Sequence, residues 1–196
     1  MDCFKGYAFT LASASPRRRE LLAGLDIEFT VEPGKDEKEA YSDDLPCSEV
    51  PEFLARHKSE TFHRKLADNE ILITADTLVC LGDEIMGKPK GREDAVSMIS
   101  ELSGNTHQVY TGVALRSNRG IRSFTDVTDV TFKEMTPEEI AYYVDNYRPY
   151  DKAGAYGVQE WIGYTCITGL RGSYFNVMGL PVQKLYEELL KFICSC

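Results

Sequence analysis

Four stretches of this chain carry polar side chains in patterns that a hydrophobic core does not require. Ser13-Ala14-Ser15-Pro16-Arg17-Arg18 sets two hydroxyls beside two guanidiniums where an apolar run gives way to a helix. A helix start offers unpaired N–H groups and the positive end of its dipole to an anion, and Arg grips phosphate oxygens with a two-pronged fork. A capped surface helix with solvated arginines reads from the same letters equally well. Thr74-Ala75-Asp76-Thr77 closes an apolar run with a carboxylate, which suits a metal ion, a cap or a general base. A solitary Asp there is more often a cap or turn residue. Gly87-Lys88-Pro89 follows a hairpin that can return Lys88 towards Asp76 as a point charge, although an isolated surface Lys is ordinarily just solvated. Tyr150-Asp151-Lys152-Ala153-Gly154-Ala155-Tyr156-Gly157-Val158-Gln159 is thinned by small residues, and the Gln159 amide can read a base edge. A tight glycine-rich loop has the same composition.

Taken together these stretches supply an anion cradle, one carboxylate and extra cations. Neither a nucleophilic Cys nor a Ser–His couple accompanies them. That set suits metal-assisted attack of water on a phosphoryl group, with the carboxylate completing the activation. It does not suit a P-loop enzyme, because GxxxxGK[ST] is absent.

The elements that must position these residues alternate between strand and helix. Ala8–Ala12 reads as a strand, Ser15 as an N-cap with Pro16 at the first helical position, and Gly24 as the stop. A strand over Glu28–Val31 leads into the acidic loop around Lys35–Glu39. Val50, Phe53, Leu54, Phe62 and Leu66 recur at helical spacing, predicting a helix over Ser48–Leu66. Ile71–Ala75 is a buried-type strand expected to end at Asp76, with Leu78–Leu81 continuing extended into a Gly82-Asp83 turn. Ala95, Ile99 and Leu102 mark a helix closed by Gly104. Val109–Arg116 and Ile121–Lys133 form a long hairpin, and Thr136-Pro137-Glu138-Glu139 is a capping box. Thr165–Thr168 is expected as a strand and Pro181–Ile193 as a closing amphipathic helix. The hairpin forces antiparallel pairing, so the expected fold is α/β with a mixed, twisted sheet and flanking helices.

Composition sets the outer limits. The 196 residues, 43% apolar and 27% charged, read as one domain over residues 1–196, able to bury roughly 70% of its extended surface. No run approaches the ~20 apolar residues of a membrane helix, and the N-terminus is a poor signal peptide. With 22 basic against 31 acidic side chains the net charge is −9, which repels nucleic acid polymers and anionic bilayers. Six scattered cysteines and three histidines lack zinc spacing. Cys80 and Cys166, inside apolar strand-like runs, read as free buried thiols, and a cytoplasmic setting follows.

Ser13–Leu22, Ala75-Asp76-Thr77, Gly87-Lys88-Pro89, Leu102-Ser103-Gly104 and Asp151–Gln159 occur in the order and form of the Maf family, and Gly172–Pro181 resembles its C-terminal signature. The resemblance covers nearly the whole chain. It implies a two-lobed Maf/ITPase-like fold around a central cleft. It also implies a nucleoside triphosphate pyrophosphatase with a house-cleaning role, giving a monophosphate and pyrophosphate with a divalent cation (Mg or Mn). The form DKAGAYGVQ is closest to the subfamily acting on dTTP and UTP. By the same resemblance Asp76 is the proton acceptor, and Arg17, Thr77 and Gln159 set base preference. Ser13, Arg18, Lys58 and the catalytic Lys88 hold phosphates, while Glu37, or Asp36 in its place, joins Asp76 on the metal. A homodimer is implied too. Two departures stand out: Ala14 where Gly is frequent, and Glu160 where a small residue is expected, an extra negative charge able to alter ligand choice. Two other readings stay open from sequence: a non-catalytic nucleotide-binding regulator of division, and the same chemistry on a modified nucleotide.

Overall fold

A computed structural model describes residues 2–34, 41–42 and 44–194. The described chain groups into two compact units, each assembled from separate stretches of sequence. One comprises residues 1–76, 111–126 and 179–196, and the other residues 77–110 and 127–178. Among the described residues seven strands make one sheet: β1 (Ala8–Leu11), β2 (Phe29–Val31), β3 (Glu70–Leu81), β4 (Glu84–Met86), β5 (Thr106–Ser117), β6 (Gly120–Phe132) and β7 (Ile167–Arg171). Their order is β2-β1-β3-β5-β6-β7, with β4 pairing β3 off this path. β1 runs parallel to β2 and β3, whereas β3–β4 and β6–β7 are antiparallel. The mixed, twisted α/β sheet expected from the sequence is therefore the sheet that forms.

Local signals account for most of the helices. In α1 (Pro16–Ala23) the Ser15 hydroxyl accepts from the Arg18 N–H, and Gly24 returns its own N–H to the last carbonyls. In α4 (Pro137–Tyr147) both halves of the Thr136/Glu139 capping box are made. α3 (Arg92–Leu102) and α6 (Val182–Cys194) complete the helices that apolar periodicity indicates. In the second unit Ile99, Leu102, Val109, Val130, Phe132, Tyr143 and Ile162 form one buried cluster.

Three expectations need correction. The helix over Ser48–Leu66 is α2, Val50–Glu60 only; Thr61 turns its N–H and hydroxyl back onto the His57 carbonyl and ends it. Phe62 and Leu66 remain buried against Leu72 and Ala12 from a loop, and burial alone gave them helix-like spacing. Thr165 and Cys166 belong to α5 (Trp161–Cys166), with β7 starting at Ile167, because Gly163 and Tyr164 both donate to the Glu160 carbonyl. Cys80 is not a free thiol but disulfide-bonded, while Cys166 is free and buried. Among the described residues no helix is long and apolar enough to cross a membrane. Asp36 and Glu37 lie outside the described residues.

Candidate active site

The carboxyl end of the parallel strands in the first unit is where polar side chains gather. β1 pairs with β3 through Leu11 and Ile73, and the Ala12 N–H still reaches the Ile73 carbonyl at 2.9 Å. The chain then turns into α1: the Ser13 hydroxyl, nearly buried, accepts from the Ser15 N–H at 3.2 Å. Arg17 is half-buried on the first turn of α1. Arg18 is committed to backbone: its Nε donates to the Gly179 carbonyl and its Nη1 to the Ala75 carbonyl, both at 2.8 Å. The guanidinium fork thereby ties α1 to the residue preceding Asp76.

Asp76 does not end its strand. β3 runs unbroken from Glu70 to Leu81, pairing β1 with its first half and β4 with its last three residues. Asp disfavours strand interiors, which is why the letters read as an end; tertiary pairing overrides that preference. Asp76 lies three residues past the last β1 pair, so it still stands beyond the carboxyl edge of the parallel part. It is 6% exposed, and one carboxylate oxygen accepts from Lys58 Nζ.

That contact depends on how α2 is seated. Thr74 and Asp76 share one face of β3, and Ala55 and Lys58 share one face of α2. The Thr74 hydroxyl donates to the Ala55 carbonyl at 2.6 Å, two strand residues and one helical turn from the Lys58–Asp76 pair. At its N-terminal end α2 lies against β5 so closely that a Cβ on Gly112 would fall 2.2 Å from the Glu52 nitrogen. The Glu52 carboxylate there accepts from the Ser123 and Thr125 hydroxyls at 2.7 and 2.9 Å.

The second unit carries Thr77, Lys88 and Gln159. Thr77 follows Asp76 directly and is half-buried, while Lys88 is exposed. The Gly154 N–H donates to the Gly87 carbonyl at 3.1 Å, which fastens Gly87-Lys88-Pro89 to the Asp151–Gln159 loop. Gly154 adopts φ +64°, and a Cβ there would press on Val79 at 3.0 Å. Tyr156 is buried, its hydroxyl 2.7 Å from His107 Nε2. The Gln159 amide oxygen is buried and has no hydrogen-bond partner, so it is a standing acceptor.

Glu160 is not the loose negative charge that the sequence suggested. Its carboxylate sits 3.0 Å from Lys152 Nζ and accepts from the Tyr143 hydroxyl. Neither partner was legible, since Tyr143 is 17 positions away on α4 and nothing in its spacing marks it. Burial pushes the Tyr143 hydroxyl far above its usual range, which keeps it a proton donor.

Ser13, Arg17, Arg18, Lys58 and Asp76 thus belong to one unit, and Thr77, Lys88 and Gln159 to the other. Among the described residues no group of three or more His, Cys, Asp or Glu side chains is arranged to hold a metal. A single hard carboxylate such as Asp76 still suits Mg²⁺, which binds through one or two carboxylates together with substrate phosphates.

A family model described as Maf-like protein matches residues 8–192. A dTTP/UTP pyrophosphatase of Bacteroides thetaiotaomicron is 51% identical over 185 residues, covering 94% of this chain and 96% of that protein. The dTTP/UTP pyrophosphatase of Parabacteroides distasonis is 50% identical over 192 residues, 98% of this chain and 100% of its own. That of Flavobacterium johnsoniae is 47% identical over 189 residues, covering 96% and 97%.

Proposed function

The chain belongs to the Maf family, and from that premise we infer that it is a nucleotide pyrophosphatase hydrolysing dTTP and UTP to the monophosphate and pyrophosphate. The near-full-length match, at about half identity, to relatives named for that activity carries the reading. The Lys58–Asp76 pair beyond the parallel strands supports the residue roles.

Asp76 accepts the proton of a water whose oxygen attacks the α-phosphorus, as the bond from that phosphorus to the bridging oxygen breaks and pyrophosphate departs. Lys58 orients the Asp76 carboxylate and, with Lys88, offsets charge growing on the phosphate oxygens. Ser13 and the first turn of α1 bind phosphate. Arg18 adds positive charge there while its Nε and Nη1 hold the backbone beside Asp76. Arg17, Thr77 and Gln159 select the base. Asp76, together with Glu37, would hold the divalent cation (Mg or Mn), which when bound neutralises phosphate oxygens and acidifies coordinated water. Nucleoside triphosphate pools are cytoplasmic, and the protein is proposed to act there.

Pyrophosphate release with Mg²⁺ from dTTP, UTP, CTP and 7-methyl-GTP tests the reading, with dTTP and UTP expected to lead. Asp76→Asn should cut turnover about a thousandfold with nucleotide binding and circular dichroism preserved. A wild-type rate in that variant removes Asp76 from the chemistry. A wild-type protein that binds dTTP but releases no pyrophosphate is a regulator and not an enzyme.

A further inference from the structure

The segment Gly157–Glu160 is tied down by contacts that all converge on one side chain. The Glu160 N–H closes a turn onto the Gly157 carbonyl at 3.0 Å. The Gly157 N–H donates to the Tyr143 hydroxyl at 3.0 Å, and that hydroxyl in turn donates to the Glu160 carboxylate. The second carboxylate oxygen pairs with Lys152, whose side chain is only 10% exposed and which also meets Asp151 at 2.8 Å. Gly157 is required for this, since a Cβ there would lie 2.9 Å from the Glu160 carboxyl carbon. On the far side, a Cβ on Gly163 would fall 1.8 Å from the Val158 carbonyl, so α5 lies hard against the turn.

Gln159 is therefore held between two pinned neighbours, and its buried amide oxygen is left without a partner. An unmet buried acceptor costs free energy until a donor reaches it, so the ligand group that fits is an N–H. Uracil and thymine carry an imide N3–H, whereas the cytosine N3 is itself an acceptor.

We propose that Glu160 is a positioning residue for base selection: through Tyr143 and Lys152 it locks the 157–160 turn and fixes the Gln159 amide oxygen towards the imide N–H of uracil or thymine. The inference rests on the reading of Gln159 as a base contact. The Glu160 carboxylate is held by Lys152, which it shares with Asp151, and by the Tyr143 hydroxyl, so it does not stand as a loose charge beside Gln159.

The test is kcat and KM for UTP and CTP with Mg²⁺ in wild type, Glu160→Gly, Glu160→Gln, Tyr143→Phe and Gln159→Ala. Gln159→Ala should abolish the preference for UTP. Glu160→Gly and Tyr143→Phe should lower the UTP-to-CTP ratio of kcat/KM about tenfold, mainly through KM for UTP. Glu160→Gln, which still accepts from Tyr143, should recover most of the preference. A retained ratio in Glu160→Gly and Tyr143→Phe, alongside its loss in Gln159→Ala, overturns the role of Glu160 alone. A retained ratio in Gln159→Ala overturns the base-contact reading and this proposal with it. Equal losses on both substrates confined to kcat mark general damage and also overturn it. Should Glu160→Gly fail to fold, Tyr143→Phe decides the matter by the same ratio.

Discussion

Arg18 shows how one side chain can serve a site without being defined by the substrate. Its Nε and Nη1 are aimed at two carbonyls, so the backbone beside Asp76 depends on the planar spacing of the guanidinium. Lysine keeps the positive charge but is a single point donor and cannot hold both carbonyls in that geometry. Arg18→Lys should lower kcat for dTTP by about ten- to a hundredfold, with KM little changed. Steady-state kinetics separates the alternatives: a raised KM with kcat intact makes Arg18 chiefly a phosphate ligand.

At the scale of elements, the seating of α2 decides whether Lys58 reaches Asp76. Gly112 on β5 leaves room for the Pro51–Glu52 backbone, and a methyl group there would overlap it at 2.2–2.3 Å. Gly112→Ala should cost about 3 kcal/mol and reduce dTTP turnover as well, because shifting α2 carries Lys58 away. An unchanged melting temperature in that variant contradicts this seating. The α4 cap provides the contrast. Thr136→Ala loses the hydrogen bond to the Glu139 N–H and should cost about 1 kcal/mol, read as a lower melting temperature with turnover unchanged. Helix existence and helix placement are separate properties, and only the second reaches the chemistry.

For the molecule as a whole, acid should lower stability in two stages. Burial pushes His107 down to about 4 from its ordinary 6.5. The unfolded chain takes up a proton there between those values and the folded chain does not, so stability falls as pH drops through that window. The difference is on the order of 3 kcal/mol. Glu70 is the opposite chemical type with the same outcome. The Arg64 guanidinium, the Thr10 hydroxyl and the Ala67 N–H hold its carboxyl at about 2, against an ordinary 4.5. Its contribution is intact above 4.5 and disappears between 4.5 and 2. Urea midpoints measured from pH 7 to 3 should decline in both windows, and His107→Gln should flatten the upper one alone. A midpoint independent of pH between 7 and 4 in the wild type excludes the first stage.

Whatever depends on neighbours in the chain was settled by the sequence itself: the Ser15 and Thr136 caps, the turn at Gly82, the alternation along β5 and β6, and the motifs that mark the family. These are decided within a few residues, by backbone hydrogen bonds and the period of side-chain direction. Packing decided the rest. Asp76 sits inside a strand because β1 and β4 pair the two halves of β3 around it, and Phe62 and Leu66 are buried without a helix. Arg18 binds carbonyls 57 and 161 residues away, and Glu160 is held by Tyr143 from α4 and by Lys152. Which charge faces which partner is fixed by distances through space, and a linear order of residue types does not contain them.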